Sequence, residues 1–229
     1  MAVLTLFSAD LDDPSLSDAS VASCLDTAER ARAGRYARPE LARRFVAGRV
    51  MMRHALGRLL GVRPVDVAIA YNAWNKPELK NGPFFNLSHT GRAALFALDE
   101  LAPVGVDIET DDPAAEQGWF DAILSDRERA EITAGCPAAM LLRLWVRKEA
   151  IVKAIGCGFS LAPDTLDVGL CEVDIRNWRA IEIGLNGGSS SLVLLDLPGR
   201  EIGAVARKCG PPAHIVRTAF TRECGLIAR

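Results

Sequence analysis

No apolar run in the 229 residues approaches the ~18 needed for a membrane span, which excludes an integral helical membrane protein. The start, MAVLTLFSADLDDP, lacks a basic leader and soon turns acidic, so it is expected to be a strand of the mature fold and not a signal peptide. The six cysteines (Cys24, Cys136, Cys157, Cys171, Cys209, Cys224) are dispersed and form no C-x-x-C pair. That spacing argues against a disulfide framework or a thiolate zinc site and for reduced thiols in the cytoplasm. There is no excess of charge of either sign: 27 basic and 29 acidic residues leave -2, which predicts neither nucleic-acid nor membrane affinity. No G-x-S-x-G elbow occurs, and Ser88-His89 are strand neighbours whose side chains point to opposite faces, so a serine hydrolase is not supported.

What the chain has is local charge. Residues 29–63 carry ten arginines against Glu29 and Glu40, and residues 99–131 carry eleven acids against Arg127 and Arg129. Such runs commonly only keep helical faces wet, but one wall able to attract phosphates and another able to hold a hard cation is the sharper reading.

The apolar spacing predicts a helix over 39–60, opened by Pro39 and closed by Gly61, followed by strands at 65–71, 84–88, 93–98 and 104–109. Ser125-x-x-Glu128 reads as a capping box opening a short helix. A longer helix is predicted at 138–155, closed by Gly156, and strands near 165–170, 180–185, 191–197, 202–207 and 213–219, with 187–190 as a hairpin loop. Helix followed by meander thus occurs twice. The expected fold is α+β, with two pseudo-symmetric halves, 1–110 and 111–229, each a long helix packed on an antiparallel meander and joined within 110–124.

Three segments carry candidate chemistry. In Val104-Gly105-Val106-Asp107-Ile108-Glu109, alternation puts both carboxylates on one face, where they repel unless a solvated face or a hard divalent cation relieves them. In Leu144-Trp145-Val146-Arg147-Lys148-Glu149-Ala150-Ile151-Val152-Lys153, Glu149 and Lys153 share a helical strip, either as an i,i+4 ion pair or as part of an anion site. Lys148 falls on the apolar stripe of Leu141, Leu144, Val152 and Ile155, where a charged head needs a partner. In Phe84-Phe85-Asn86-Leu87-Ser88-His89-Thr90-Gly91, a hydroxyl, an imidazole and backbone amides gather at a strand end and can hold phosphate oxygens.

In order and spacing, FNLSHTG, VGVDIE and LWVRKEAIVKAIGCG resemble the signature motifs of the Sfp-type 4′-phosphopantetheinyl transferases, and Asn75-Lys76-Pro77 is similar to their G-K-P element. The resemblance covers about residues 25–160. It implies two halves with the active site in the cleft between them. The reaction it implies moves the phosphopantetheine arm of coenzyme A to a serine of an apo acyl or peptidyl carrier protein, releasing 3′,5′-ADP. It further implies Asp107, Glu109 and Glu149 as ligands of Mg²⁺ (or Mn²⁺). Glu149 becomes the candidate base, and Lys153 the cation at the transferring phosphate. Lys148 would bind pyrophosphate oxygens, Ser88 and His89 the coenzyme phosphates, with Lys76 near adenine and Arg32 and Arg44 completing the cradle. The resemblance needs no partner copy, so a monomer is expected. Two positions depart from the motifs: Asn75 stands where glycine is usual, and Cys157 lies between the glycines after the helix. A Mg²⁺-dependent phosphohydrolase of coenzyme A or a nucleotide, or a non-catalytic coenzyme A/carrier-binding protein, would use the same residues.

Overall fold

The computed structural model describes residues 2–110, 117–132, 136–170, 177–185 and 188–221. The chain opens with strand β1 (Val3–Asp10), two short helices α1 (Ala19–Ala22) and α2 (Thr27–Ala33), and the long helix α3 (Pro39–Leu60). A small hairpin, β2 (Ile69–Tyr71) and β3 (Pro77–Leu79), leads to β4 (Phe84–Thr90), β5 (Ala93–Asp99) and β6 (Val104–Glu109). Then come α4 (Asp126–Glu131), α5 (Ala138–Ile155), and strands β7 (Arg179–Leu185), β8 (Gly188–Leu197), β9 (Ile202–Lys208) and β10 (His214–Ala219).

Both long helices end where the sequence predicts. Pro39 occupies the first turn of α3, and Gly61 and Gly156 adopt left-handed φ values of 67° and 78°, which an L side chain resists. Ser125 and Glu128 form the reciprocal capping box that starts α4. The expected strand at 165–170 is not formed. Pro163 opens a single 3-10 turn at Pro163–Thr165, and the Val168 N–H is bonded by the Glu128 carboxylate and not by a neighbouring strand. The expected loop at 187–190 is also corrected from Gly188 onward, where β8 already pairs with β7; residue 187 lies outside the described residues. So do Cys171, Cys224 and residues 111–116 of the expected connection, while Cys24, Cys136, Cys157 and Cys209 are free thiols.

Eight of the strands form two four-stranded sheets, ordered β10-β1-β5-β4 and β6-β9-β8-β7, and β2 and β3 pair with each other. The pairing is antiparallel except for β10, which runs parallel to β1 from Val3↔His214 to Ser8↔Ala219. The expected division at residue 110 therefore does not coincide with the sheets, since β6 belongs to the second and β10 returns to the first. Helix α3 covers the first sheet through Met51, Met52 and Leu56 against Phe85 and Phe96. Helix α5 covers the second through Leu144, Ala150 and Ile151 against Leu192, Leu194 and Ala204. A third apolar cluster fuses the sheets, with Leu4, Leu6 and Leu95 packed on Val104, Val106 and Val205.

Candidate active site

Strand β6 is the hinge of the site. Val104 and Val106 enter the inter-sheet core, and the opposite face presents Gly105, Asp107 and Glu109 to α5. The approach is close at Gly105: a Cβ there would lie 2.2 Å from both Ala150 O and Ala154 N. Only a residue without a side chain lets the helix backbone rest on the strand, and this contact brings Lys153, one helical position before Ala154, over Asp107.

Strand β4 flanks β6 on the other side, joined by side chains in place of a backbone ladder. Asn86 Oδ1 accepts from Val106 N at 2.9 Å, Ser88 Oγ donates to Asp107 Oδ1 at 2.7 Å, and Thr90 Oγ1 lies 3.4 Å from Thr110 Oγ1. Residues 86, 88 and 90 share one strand face, which explains why all three reach β6.

Asp107 is buried, at 3% exposure, which rules out the solvated polar face considered from the sequence. Its Oδ1 accepts from Lys153 Nζ at 2.5 Å as well as from Ser88. Its Oδ2 is buried without a hydrogen-bond partner among the described residues. Lys153 Nζ also stands 3.8 Å from Glu149 Oε2 and 3.2 Å from Ser88 Oγ. Burial holds the Glu149 carboxyl above its usual range; Lys153 opposes that shift, and the negative charges of Asp107 and Glu109 add to it. Glu109 is raised too, first by burial, against a hydrogen bond from Thr90, and further by Asp107. The three carboxylates therefore feel one another. Among the described residues, however, no three acidic, histidine or cysteine side chains already enclose a point a metal could occupy, and the Lys153 ammonium is the cation that meets Asp107 and Glu149. In kind the residues fit a hard divalent cation: oxygen donors only, one of them buried and unsatisfied.

Beside this cluster lies a cavity of about 210 Å³, lined by Trp74, Asn75, Lys76, Pro77, Glu149 and Lys153 among others. Asn75 takes a left-handed φ of 64°, a conformation open to glycine and tolerated by asparagine, so its substitution for glycine leaves such a turn available. Asn72 shapes the same turn by accepting from Trp74 N and Lys76 N, and its Nδ2 donates to Gly156 O at 3.0 Å. Lys76 Nζ donates to Lys153 O and to Val104 O, tying the last turn of α5 to β6; burial lowers its ammonium to about 8. Asn72 is not among the residues the sequence motifs point to, although an asparagine ahead of a tight turn is a recognisable signal.

His89 projects from the opposite face of β4 to Ser88. Desolvation, then the charges of Lys153 and Arg44, hold its imidazole below the usual histidine value. Arg44 is close enough to act on His89, and its guanidinium grips both oxygens of Asp12 at 2.7 Å. Arg32 lies 5.1 Å over the Phe45 ring, in a separate recess with Arg35 and Tyr36. Two other arginines of the basic segment point inward: Arg49 and Arg53 are buried on Glu29, with Asp26 completing the pair, so they contribute nothing to a phosphate-attracting wall.

Lys148 requires a correction. Its inward position is as expected, but its partner is no coenzyme phosphate. Fully buried, its ammonium donates to Glu128 and to the carbonyls of Ile123 (2.6 Å) and Pro163 (3.0 Å), which engages all three protons. Lys148 secures α5 to α4 and to the segment after α5.

Residues 103–197 match the sequence profile of the 4′-phosphopantetheinyl transferase superfamily, and residues 13–100 match that of the 4′-phosphopantetheinyl transferase N-terminal family. The chain is 35% identical to the 4′-phosphopantetheinyl transferase HetI of Nostoc sp. over 160 residues, 66% of this chain and 67% of that protein. It is 37% identical to the 4′-phosphopantetheinyl transferase AcpT of Escherichia coli over 119 residues, 49% of this chain and 57% of its relative. A 4′-phosphopantetheinyl transferase of Bacillus subtilis matches at 30% over 150 residues, 62% and 65% of the two chains. The matched stretches thus span 57% to 67% of these relatives' lengths.

Proposed function

The chain belongs to the 4′-phosphopantetheinyl transferase superfamily, and on that premise we propose that it transfers the phosphopantetheine arm of coenzyme A to a serine of an apo carrier protein, with Mg²⁺, releasing 3′,5′-ADP. The observation carrying this reading is Lys153 of α5, bonded to Asp107 of β6 and 3.8 Å from Glu149, beside the second, unsatisfied Asp107 oxygen, with the charges of Asp107 and Glu109 both acting on Glu149. We place the active site in the groove where these elements of the two sheets face each other.

In this reading Asp107, Glu109 and Glu149 would hold Mg²⁺, whose Lewis acidity stabilises charge on the pyrophosphate when it is bound. Glu149, with its raised carboxyl, accepts the proton of the carrier serine as the serine oxygen bonds to the phosphorus of the phosphopantetheine group. The bond from that phosphorus to the bridging oxygen breaks, and 3′,5′-ADP leaves. Lys153 balances charge on the transferring phosphate. His89 and the Arg44 side chain serve the coenzyme phosphates, Lys76 and the 72–76 turn border the adenine, and Ser88 orients Asp107. Arg32, in its separate recess with Arg35 and Tyr36, is given no phosphate contact in this reading. A monomer supplies every residue named.

The test is incubation of the protein with coenzyme A, Mg²⁺ and an apo carrier protein, followed by intact mass spectrometry. A phosphopantetheine-sized gain on the carrier, with 3′,5′-ADP released, is expected. Loss of coenzyme A with an unmodified carrier would instead establish a phosphohydrolase. Binding of coenzyme A without consumption would establish a non-catalytic protein.

A further inference from the structure

The Lys153 ammonium lies between Asp107 of β6 and Glu149 of its own helix. It donates to Asp107 Oδ1 at 2.5 Å and to Ser88 Oγ at 3.2 Å, stands 3.8 Å from Glu149 Oε2, and its charge reaches Glu109. The helix backbone beneath it is held by Lys76, whose Nζ donates to Lys153 O. The stem is therefore anchored, while the four-carbon arm, with the side chain 27% exposed, has open space in the adjoining cavity. A divalent cation received by the same oxygens, Asp107 Oδ2 among them, brings two further positive charges beside the ammonium. The ammonium must then leave Asp107, and it needs another anion to compensate for the partner it loses.

We infer that Lys153 is a tethered counter-ion: it neutralises the carboxylate cluster in the ligand-free site and is exchanged for the divalent cation when a phosphate of the coenzyme receives it. The inference rests on the reading of Asp107, Glu109 and Glu149 as a divalent-cation site, and adds how that site is kept charge-balanced before substrate arrives. Two consequences follow from linkage. Metal alone binds weakly, in competition with an internal cation, and coenzyme A strengthens metal binding beyond the direct contact between phosphate and metal, by drawing the competitor away.

Titration calorimetry of Mg²⁺ alone, without coenzyme A or carrier, tests this on the full-length protein. Lys153→Met keeps most of the stem and removes the charge. It should bind Mg²⁺ about tenfold more tightly than the unmodified protein, the scale expected for deleting one positive charge from a partly screened site. It should also show a smaller enhancement of Mg²⁺ affinity on addition of coenzyme A. Lys153→Gln serves as the second variant, with circular dichroism and a thermal melt to establish that each variant is folded. Asp107→Asn reports on the site itself and should weaken Mg²⁺ binding in the unmodified background. Affinity equal to or below that of the unmodified protein in both lysine variants, with Asp107→Asn still weakening binding, overturns the counter-ion role and leaves the cation site standing. Binding that Asp107→Asn does not weaken, or no Mg²⁺ binding by any variant, overturns both.

Discussion

Lys148 is adjacent to Glu149 in sequence and opposite to it in role. Its ammonium has no route to solvent, and burial pushes it below the ordinary lysine range while Glu128 pulls it back up. The Glu128 carboxylate is as heavily committed, to Lys148, to Ser125 N and to Val168 N. Removing one member of such a pair strands the other charge in an apolar interior. Lys148→Met is therefore expected to cost about 3–5 kcal/mol in urea unfolding, with Glu128→Gln in a similar range. The double variant should cost clearly less than the sum of the two, and that double-mutant coupling is the measurement that identifies the pair. Additive losses would show that the two residues act separately. The sequence announces each half of this pair, as an inward lysine and as a capping-box glutamate, but periodicity within one helix cannot reveal a partner on another.

At the scale of elements, the approach of α5 to β6 determines whether the acidic face of the strand and the Glu149–Lys153 strip of the helix meet at all. Gly105 sets that distance. Gly105→Ala places a methyl group within 2.2 Å of helix backbone atoms, which cannot rotate away as a flexible side chain could. The helix must retreat by on the order of 1 Å. The expected cost is about 1–3 kcal/mol of stability and roughly a hundredfold or more in transfer rate, since misplacement on this scale disrupts near-attack geometry. Gly184, also in a strand but with nothing among the described residues within 4 Å of the position a methyl group would take, is the matched control. Gly184→Ala should change stability by no more than about 0.5 kcal/mol. Thermal melts and initial rates on the two variants make the comparison. The strand face is legible from the alternation of Val104-Gly105-Val106-Asp107-Ile108-Glu109, and so are both long helices, because their proline and glycine boundaries are local. The tightness at Gly105 is not legible, since it depends on which helix lands there. Helix α2 is absent from the expected elements although Asp26 and Glu29 carry the same capping box as Ser125 and Glu128. The segment after Pro163 resembles a strand because Leu166 and Val168 alternate toward the core, yet the Val168 N–H is satisfied by a side chain and forms no ladder.

On the scale of the whole molecule, the repeated helix-and-meander pattern suggests two separable halves, and the sheets do not divide along the chain that way. Strand β6 precedes residue 110 but pairs with β9, and β10 comes last but completes the first sheet beside β1. The Asp99 carboxylate on β5 bonds Arg207 on β9 at 2.6 Å, both buried, and Leu4, Leu6 and Leu95 share a core with Val106 and Val205. A fragment ending at residue 110 would expose β6 without a partner, open the β1 edge, and leave Asp99 without its guanidinium. Fragment 1–110 is accordingly expected to remain unfolded, with no dispersed amide spectrum, while the full chain unfolds in one transition. Trp145 packs on the core of the second sheet, so a variant retaining that tryptophan alone should show a fluorescence midpoint in urea coincident with that of far-UV circular dichroism, which follows the whole chain. Separate midpoints, or a folded 1–110 fragment, would mean that the crossing strands are decoration on two autonomous units. The candidate site would feel that difference directly. Asp107 and Glu109 sit on the strand that changes sheets, and Ser88, which bonds Asp107, belongs to the first sheet while Lys153 lies on the helix covering the second. If the halves unfold together, any substitution that loosens the joint between them lowers transfer and global stability in proportion. If they unfold apart, the same substitution lowers transfer while leaving each half's midpoint in place.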